Sequence, residues 1–157
     1  MLLTIITPTF NRSKFLLCAY KCLCEQGYKD FEWLIIDDGS TDDTEKLFAN
    51  FQNVQKLNNF PIYYYRKENG GKHTAINYGV REAKGELILI LDSDDTLPAD
   101  ALATIAQYYK QCKGYKNCAG VCGLMAHHDG QLIGTGFPMK VHCSFAMQRS
   151  VMLQVIY

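Results

Sequence analysis

The sequence predicts an α/β fold: a doubly wound, mostly parallel sheet with helices on both faces and an antiparallel hairpin near the C-terminus. Three observations predict it. Short apolar runs alternate with segments of helical spacing between Leu2 and Cys112. The runs are apolar nearly throughout rather than alternating, as in strands covered on both faces. Each of the first four is followed by a polar, charged or Gly-rich set, on the edge where open α/β sheets bind ligands.

The elements follow in order. Leu2 to Ile6 reads as the first strand. Ser13 to Gln26 reads as a helix, with Leu16, Ala19 and Leu23 at helical spacing and Gly27 as its stop. Phe31 to Ile36 is the second strand. Asp42 to Phe51 is a helix that Ser40, Thr41 or Asp42 can cap, and Glu45 stands near the capping-box position. Ile62 to Tyr65 is the third strand. Thr74 to Ala83 is a helix with Ile76, Val80 and Ala83 on one face, and Gly85 stops it. Leu87 to Leu91 is the fourth strand. Pro98 suits a helix start, and Leu102, Ile105, Tyr109 and Cys112 continue at helical spacing. Ala119 to Ala126 reads as a fifth strand. The Asp129-Gly130 turn pairs it with Gln131 to Gly134. Phe145 to Tyr157 is apolar enough for a last helix.

Bulk properties exclude several classes. A chain of 157 residues fits a single domain, 1–157, able to bury a real core. Net charge is zero, with no basic stripe, so nucleic acid is not expected as a partner. No apolar run approaches the ~20 residues of a membrane helix, and the N-terminus lacks the pattern of a signal peptide. The expected location is cytoplasmic, with peripheral association at the inner face of the membrane open to the full protein. Seven cysteines is an odd number. Cys18, Cys22 and Cys24 fall on one helix, and Cys112, Cys118 and Cys122 are spaced unlike a zinc ribbon, so packed free thiols are expected.

The strand ends carry the chemistry. They read Thr7-Pro8-Thr9-Phe10-Asn11-Arg12, then Asp37-Asp38-Gly39-Ser40, then Arg66-Lys67-Glu68-Asn69-Gly70-Gly71-Lys72-His73, then Asp92-Ser93-Asp94-Asp95. Ser40 and Asp42 serve as helix caps on the plainest reading, Gly70-Gly71 as a tight turn, and the acidic run as a solvated turn. Taken together on one edge, they are complementary. Asp38 can accept a hydrogen bond from a base N–H beside the apolar ring of Pro8. Gly70-Gly71 lets backbone approach closely, and Lys72 offers positive charge to a phosphate. Asp92 and Asp94, two apart, can face one point and hold Mg²⁺ or Mn²⁺, which bridges phosphates. Base pocket, phosphate contact and metal describe a nucleoside diphosphate, whose departure the metal would assist.

These four motifs, with Thr41-Asp42-Asp43-Thr44 continuing the second, closely resemble family 2 glycosyltransferases of the GT-A fold, a Rossmann-like nucleotide-diphospho-sugar transferase architecture. The resemblance runs from about Leu2 to Ala106, in order and with natural spacing. It implies inverting transfer of a sugar from a UDP-sugar or similar donor to an acceptor hydroxyl, with Mg²⁺ or Mn²⁺, in polysaccharide or glycan synthesis. By resemblance, Thr7, Pro8 and Asp38 line the nucleoside pocket and Lys72 lies by the base or phosphates. Asp92 and Ser93 approach the ribose and sugar, and Thr9, Asn11, Asn69 and Gly71 complete the nucleotide-sugar set. Asp94 contacts the metal, with Asp92 and Asp95 beside it. Residues 1–106 are then a nucleotide-sugar-binding region and 107–157 an incomplete start of an acceptor-side region. The acceptor, a glycan or lipid-linked molecule, is not specified.

An inverting transfer also needs a base to take the acceptor's proton. After Asp100 the only acid is Asp129, in a turn dipeptide. His127, His128 and His142 read more simply as surface or core residues. The general base is therefore expected beyond Tyr157, and the chain reads as a truncated donor-binding part that turns over poorly or not at all. Two other readings compete. One is a non-catalytic nucleotide-sugar-binding fragment. The other is a haloacid-dehalogenase-like phosphohydrolase with Asp92 as nucleophile in Asp92-Ser93-Asp94-Asp95-Thr96, which expects its motif on the first strand and a later acidic pair. A Rossmann oxidoreductase is weaker, because no G-x-G-x-x-G follows the first strand.

Overall fold

Strand β1 (Leu3–Thr9) is buried at all of its positions and lies between β2 (Phe31–Asp37) and β4 (Leu87–Ile90). Strand β3 (Ile62–Arg66) flanks β2 on its far side, giving the order β3-β2-β1-β4 with every pair parallel. The computed structural model describes residues 1–113, 120, 121, 126, 127, 131 and 133. The expected fifth strand over Ala119–Ala126, the Asp129-Gly130 hairpin and the helix over Phe145–Tyr157 lie almost wholly outside these residues. Of that region, the His127 backbone N–H donates to the Gln131 carbonyl at 2.8 Å.

Strand parity divides the core in two. Leu3 and Ile5 of β1 and Phe31, Trp33 and Ile35 of β2 face helices α1 (Ser13–Cys24), α2 (Thr44–Asn58) and α4 (Ala101–Cys112). Ile6, Leu34 and Ile36 face helix α3 (Lys72–Glu82), where they meet Ala75. Helices thus cover both faces, as expected of continuous apolar strands. Phe31 and Phe60, and Tyr20, Trp33 and Phe51, fill the larger layer with ring contacts.

The element ends differ from expectation for identifiable reasons. β1 runs on through Pro8 to Thr9 because β2 pairs with it as far as Thr9↔Asp37, beyond the end of β4. Its pairing with β1 stops at Ile6↔Ile90, and the Leu91 N–H closes on the Ile6 carbonyl. Pro8 shares the parity of Ile6, so its missing N–H falls on a side with no strand to receive it. α2 starts at Thr44 instead of Asp42. Asp42 stands just before it and accepts from the Thr44 N–H at 3.1 Å and the Thr44 hydroxyl at 2.5 Å. Glu45 closes no capping box; its carboxylate meets Arg66 Nη1 at 3.1 Å. α3 begins at Lys72 instead of Thr74, directly after Gly71. α4 begins at Ala101, and Pro98 occupies the turn before it, where its carbonyl accepts the Ala101 N–H. Cys18, Cys22 and Cys24 lie on α1 and are not in disulfides.

Candidate functional site at the strand ends

The carboxyl ends of β1, β2 and β4 and the start of α3 surround one cleft of about 360 Å³. Pro8, Thr9, Phe10, Arg12, Asp38, Lys72, Asp92, Ser93 and Asp94 line it. Of the residues expected to bind a nucleotide-sugar, Pro8, Thr9, Asp38, Lys72, Asp92 and Ser93 therefore meet at one surface, although they come from loops up to 85 positions apart in the chain. Phe10 and Arg12 join them.

The floor is built around Asp38. Its carboxylate accepts from Lys67 Nζ, from the Gly70 N–H at 3.0 Å and from the Gly71 N–H at 2.6 Å. Burial alone would raise this carboxyl. The Lys67 and glycine hydrogen bonds, with the Lys67 charge, outweigh it and hold the group below the ordinary aspartate range. Asn69 Nδ2 donates to the Asp38 carbonyl at 2.9 Å. Gly71 has φ +91°, a conformation that glycine adopts without a Cβ penalty. The backbone amides expected to approach a phosphate thus serve Asp38, and Asn69 and Gly71 act on the cleft through it.

Behind this floor, Asp37 fixes the bend of the chain. Its carboxylate accepts the Ser40 N–H at 2.7 Å and the Tyr64 hydroxyl. Burial, and then that bond, push the Tyr64 phenol well above its ordinary value, so it stays a donor. Asn11, at φ 52°, accepts the Thr41 N–H at 2.8 Å through its side chain, while the Ser40 hydroxyl accepts the Asn11 N–H at 2.9 Å. Asp42 also accepts the Ser13 N–H at 3.1 Å, tying the start of α1 to the start of α2. Asn11 thereby joins the β1 loop to the β2 loop and is not among the residues lining the cleft.

Thr7 is placed differently from the pocket position implied for it. It is fully buried on the α1–α2 side, and its hydroxyl accepts the Trp33 indole N–H at 2.8 Å. The parity of Leu3 and Ile5, extended to Thr7, carries this information in the sequence. Thr9 has the same parity two residues on, at the cleft wall. Its hydroxyl is buried and has no hydrogen-bond partner among the described residues.

The acidic end is already neutralised in part. Lys72 Nζ lies 2.6 Å from Asp92 Oδ2, and Arg12 Nη1 lies 2.9 Å from Asp94 Oδ2. Burial, then the charges of Asp92 and Asp94, raise the Asp95 carboxyl, with Lys72 opposing. Among the described residues, no three acidic, His or Cys side chains converge as a metal cage. Asp92, Asp94 and Asp95 therefore do not form a closed three-carboxylate site. The arrangement suits a cation held by one or two carboxylates with the remaining ligands from phosphate and water, the common mode for Mg²⁺. Lys67 and Arg12 were not readable as site residues from spacing. Each pairs with an acid far away in sequence, 29 positions for Lys67 and 82 for Arg12.

A parallel sheet with helices on both faces and a polar cleft at its carboxyl edge is the doubly wound α/β class, and likeness to solved structures narrows it to the GT-A fold. Solved structures agree: TarS from S. aureus, residues 1–349 in complex with UDP, superposes with a TM-score of 0.73 at 23% identity, covering 86% of this chain and 38% of that one. The mannosyltransferase PcManGT from Pyrobaculum calidifontis, in complex with GDP-Man and Mn²⁺, gives 0.67 at 23% identity, over 79% and 35%. The chain belongs to glycosyl transferase family 2, whose family model matches residues 4–152. A relative from Campylobacter jejuni, GalNAc(5)-diNAcBac-PP-undecaprenol beta-1,3-glucosyltransferase, is 38% identical over 122 residues, 76% of this chain and 38% of that relative. The chain thus spans well under half the length of the curated relative it matches. Membership of this family sets aside the phosphohydrolase reading of Asp92.

Proposed function

We propose that this chain binds the donor in a glycosyltransferase that moves a sugar from a nucleoside-diphosphate sugar, a UDP-sugar first, to an acceptor hydroxyl with inversion. The observation that carries this reading is the cleft itself. Its lining combines two chemistries: Pro8, Phe10 and an Asp38 whose Oδ2 accepts a single protein N–H, and Lys72 and Arg12 paired with the acidic loop. A nucleoside diphosphate presents the matching two, an uncharged ring system at one end and a dianionic bridge at the other.

The residues divide the work. Asp38 Oδ2 carries one protein donor, leaving it room for one base N–H. Pro8 and Phe10 give the base an apolar wall. Lys72 and Arg12 offer charge to the diphosphate, and Ser93, almost buried, borders the ribose and sugar. A bound Mg²⁺ or Mn²⁺ would neutralise charge developing on the departing diphosphate. Asp94 is the residue assigned to hold it, with Asp92 and Asp95 beside it. That a structural neighbour was solved with Mn²⁺ and others with UDP or UDP-GlcNAc supports a divalent metal and a nucleotide-sugar donor.

The biological setting follows as part of the same proposal. A glycan or lipid-linked acceptor in polysaccharide or glycan synthesis fits the name of the Campylobacter relative, which includes a polyprenol. We extend the same proposal to a cytoplasmic location, with membrane contact at the inner face. A thermal-shift screen of the 157-residue chain against UDP, GDP and their sugars tests the donor class. UDP compounds should raise Tm, more so with Mn²⁺. No shift with any nucleotide would refute the proposal.

A further inference from the structure

The acidic loop takes one cation from each wall of the cleft. Arg12, from the β1–α1 loop, reaches Asp94 at 2.9 Å; Lys72, the first residue of α3, reaches Asp92 at 2.6 Å. The backbones behind both are fixed. The Arg12 carbonyl accepts the Phe15 and Leu16 N–H groups that open α1, and its guanidinium lies 5.2 Å from the Phe15 ring centroid. Lys72 follows Gly71, whose carbonyl accepts the N–H of Thr74 and its hydroxyl. The side-chain ends are another matter. Arg12 and Asp94 are 46% and 50% exposed, and Lys72 and Asp92 are 58% and 35% exposed. Pairs this open break easily.

These are the same two carboxylates and the same two cations that the proposed donor complex requires for other partners. Resting on that reading, we propose that Arg12–Asp94 and Lys72–Asp92 are exchange pairs that couple divalent-cation binding to diphosphate binding. A metal ion arriving alone meets carboxylates already matched to basic groups. A diphosphate arriving alone meets basic groups already matched to carboxylates. Arriving together, the two ligands let all four side chains change partner in one step: carboxylate to metal, Arg12 and Lys72 to phosphate oxygens, with no charge left unmatched. The pairs also limit mutual repulsion within Asp92, Asp94 and Asp95 in the unliganded chain.

Calorimetry and Mn²⁺ electron paramagnetic resonance on the whole chain test this. Arg12→Ala should bind Mn²⁺ alone about threefold to fivefold more tightly than wild type, the factor expected for loss of one exposed competing pair. Its gain in UDP affinity on adding Mn²⁺ should shrink by a comparable factor, while its affinity for uridine stays unchanged. Arg12→Gln, which keeps a polar side chain without the charge, should behave the same way. Lys14→Ala removes a neighbouring exposed charge outside both pairs and should match wild type. Mn²⁺ affinity unchanged in Arg12→Ala, or tightened equally by Lys14→Ala, would overturn the exchange. So would the absence of Mn²⁺ binding by every variant. Failure of wild type to bind either UDP or uridine is a different result, which removes the donor reading and the exchange with it.

Discussion

The Lys67 ammonium lies 2.5 Å from the Asp38 carboxylate, and both side chains are largely withdrawn from water, at 20% and 5% exposure. This pair, with the Gly70 and Gly71 N–H groups, makes Asp38 a fixed acceptor at the base of the cleft. The turn that carries the two glycines and the loop that carries Asp38 are therefore one unit.

Removing the Asp38 charge should weaken that unit. In Asp38→Asn, Lys67 and two backbone donors face a neutral amide. The expected loss is about 1–3 kcal/mol at neutral pH, read by urea unfolding. The pH dependence has a definite sign. The folded-state carboxyl titrates below its unfolded value of about 3.9. Its contribution is complete above that value and is lost as pH falls through the folded one. The gap between wild type and Asp38→Asn should stay constant from pH 7 to about 5 and close only below about pH 4. A gap that closes near pH 6 would contradict the assignment.

Thr7 gives a contrasting expectation. Thr7→Val leaves the buried Trp33 indole N–H without its acceptor. Unfolding should show a loss of about 1–3 kcal/mol, and Thr7→Ser should restore most of it. Uridine affinity should not change, because Thr7 is fully buried behind the cleft. A selective loss of uridine binding with stability intact would return Thr7 to the pocket.

Thr7 also marks where sequence reading reaches its limit. Strands and helices were legible because each apolar run is long enough to be covered on both faces, and the cleft edge followed from their alternation. Side-chain direction within a motif was not. Thr7, Pro8 and Thr9 read as one unit, yet alternation sends Thr7 into the core and Pro8 to the opposite face, a distinction that parity with Leu3 and Ile5 would have exposed. Asp38 and Asp94 were readable as chemically apt residues. Their partners Lys67 and Arg12 were not, because contacts spanning 29 and 82 positions leave no periodic trace. Helix starts shifted by two or three residues at α2, α3 and α4, where the residue before the first turn makes no side-chain capping hydrogen bond.

Gly85 tests the packing beneath the site. A Cβ there would stand 2.5 Å from the Thr4 backbone nitrogen and 2.6 Å from the Leu3 carbonyl carbon, both in the central strand. Neither can give way without disturbing β1, so Gly85→Ala should cost about 1–3 kcal/mol. For a chain of this size that lowers Tm by about 2–4 °C per kcal/mol. Gly27 is the control, because a Cβ there would meet nothing within 4 Å. Gly27→Ala should be neutral or raise Tm slightly. Equal effects at the two glycines would mean that the close approach at Gly85 is relieved elsewhere.

The central claim is that one cleft holds a nucleoside diphosphate at Asp38 and its metal at Asp94. Titration calorimetry of UDP into wild type and Asp94→Ala, each with and without Mn²⁺, tests it most directly. Mn²⁺ should tighten UDP binding to wild type and have no effect on Asp94→Ala, whose metal-free UDP affinity should rise about threefold to fivefold as Arg12 loses its competing partner, with Tm close to wild type. An undiminished Mn²⁺ effect in Asp94→Ala, or no UDP binding by wild type under either condition, would contradict the account.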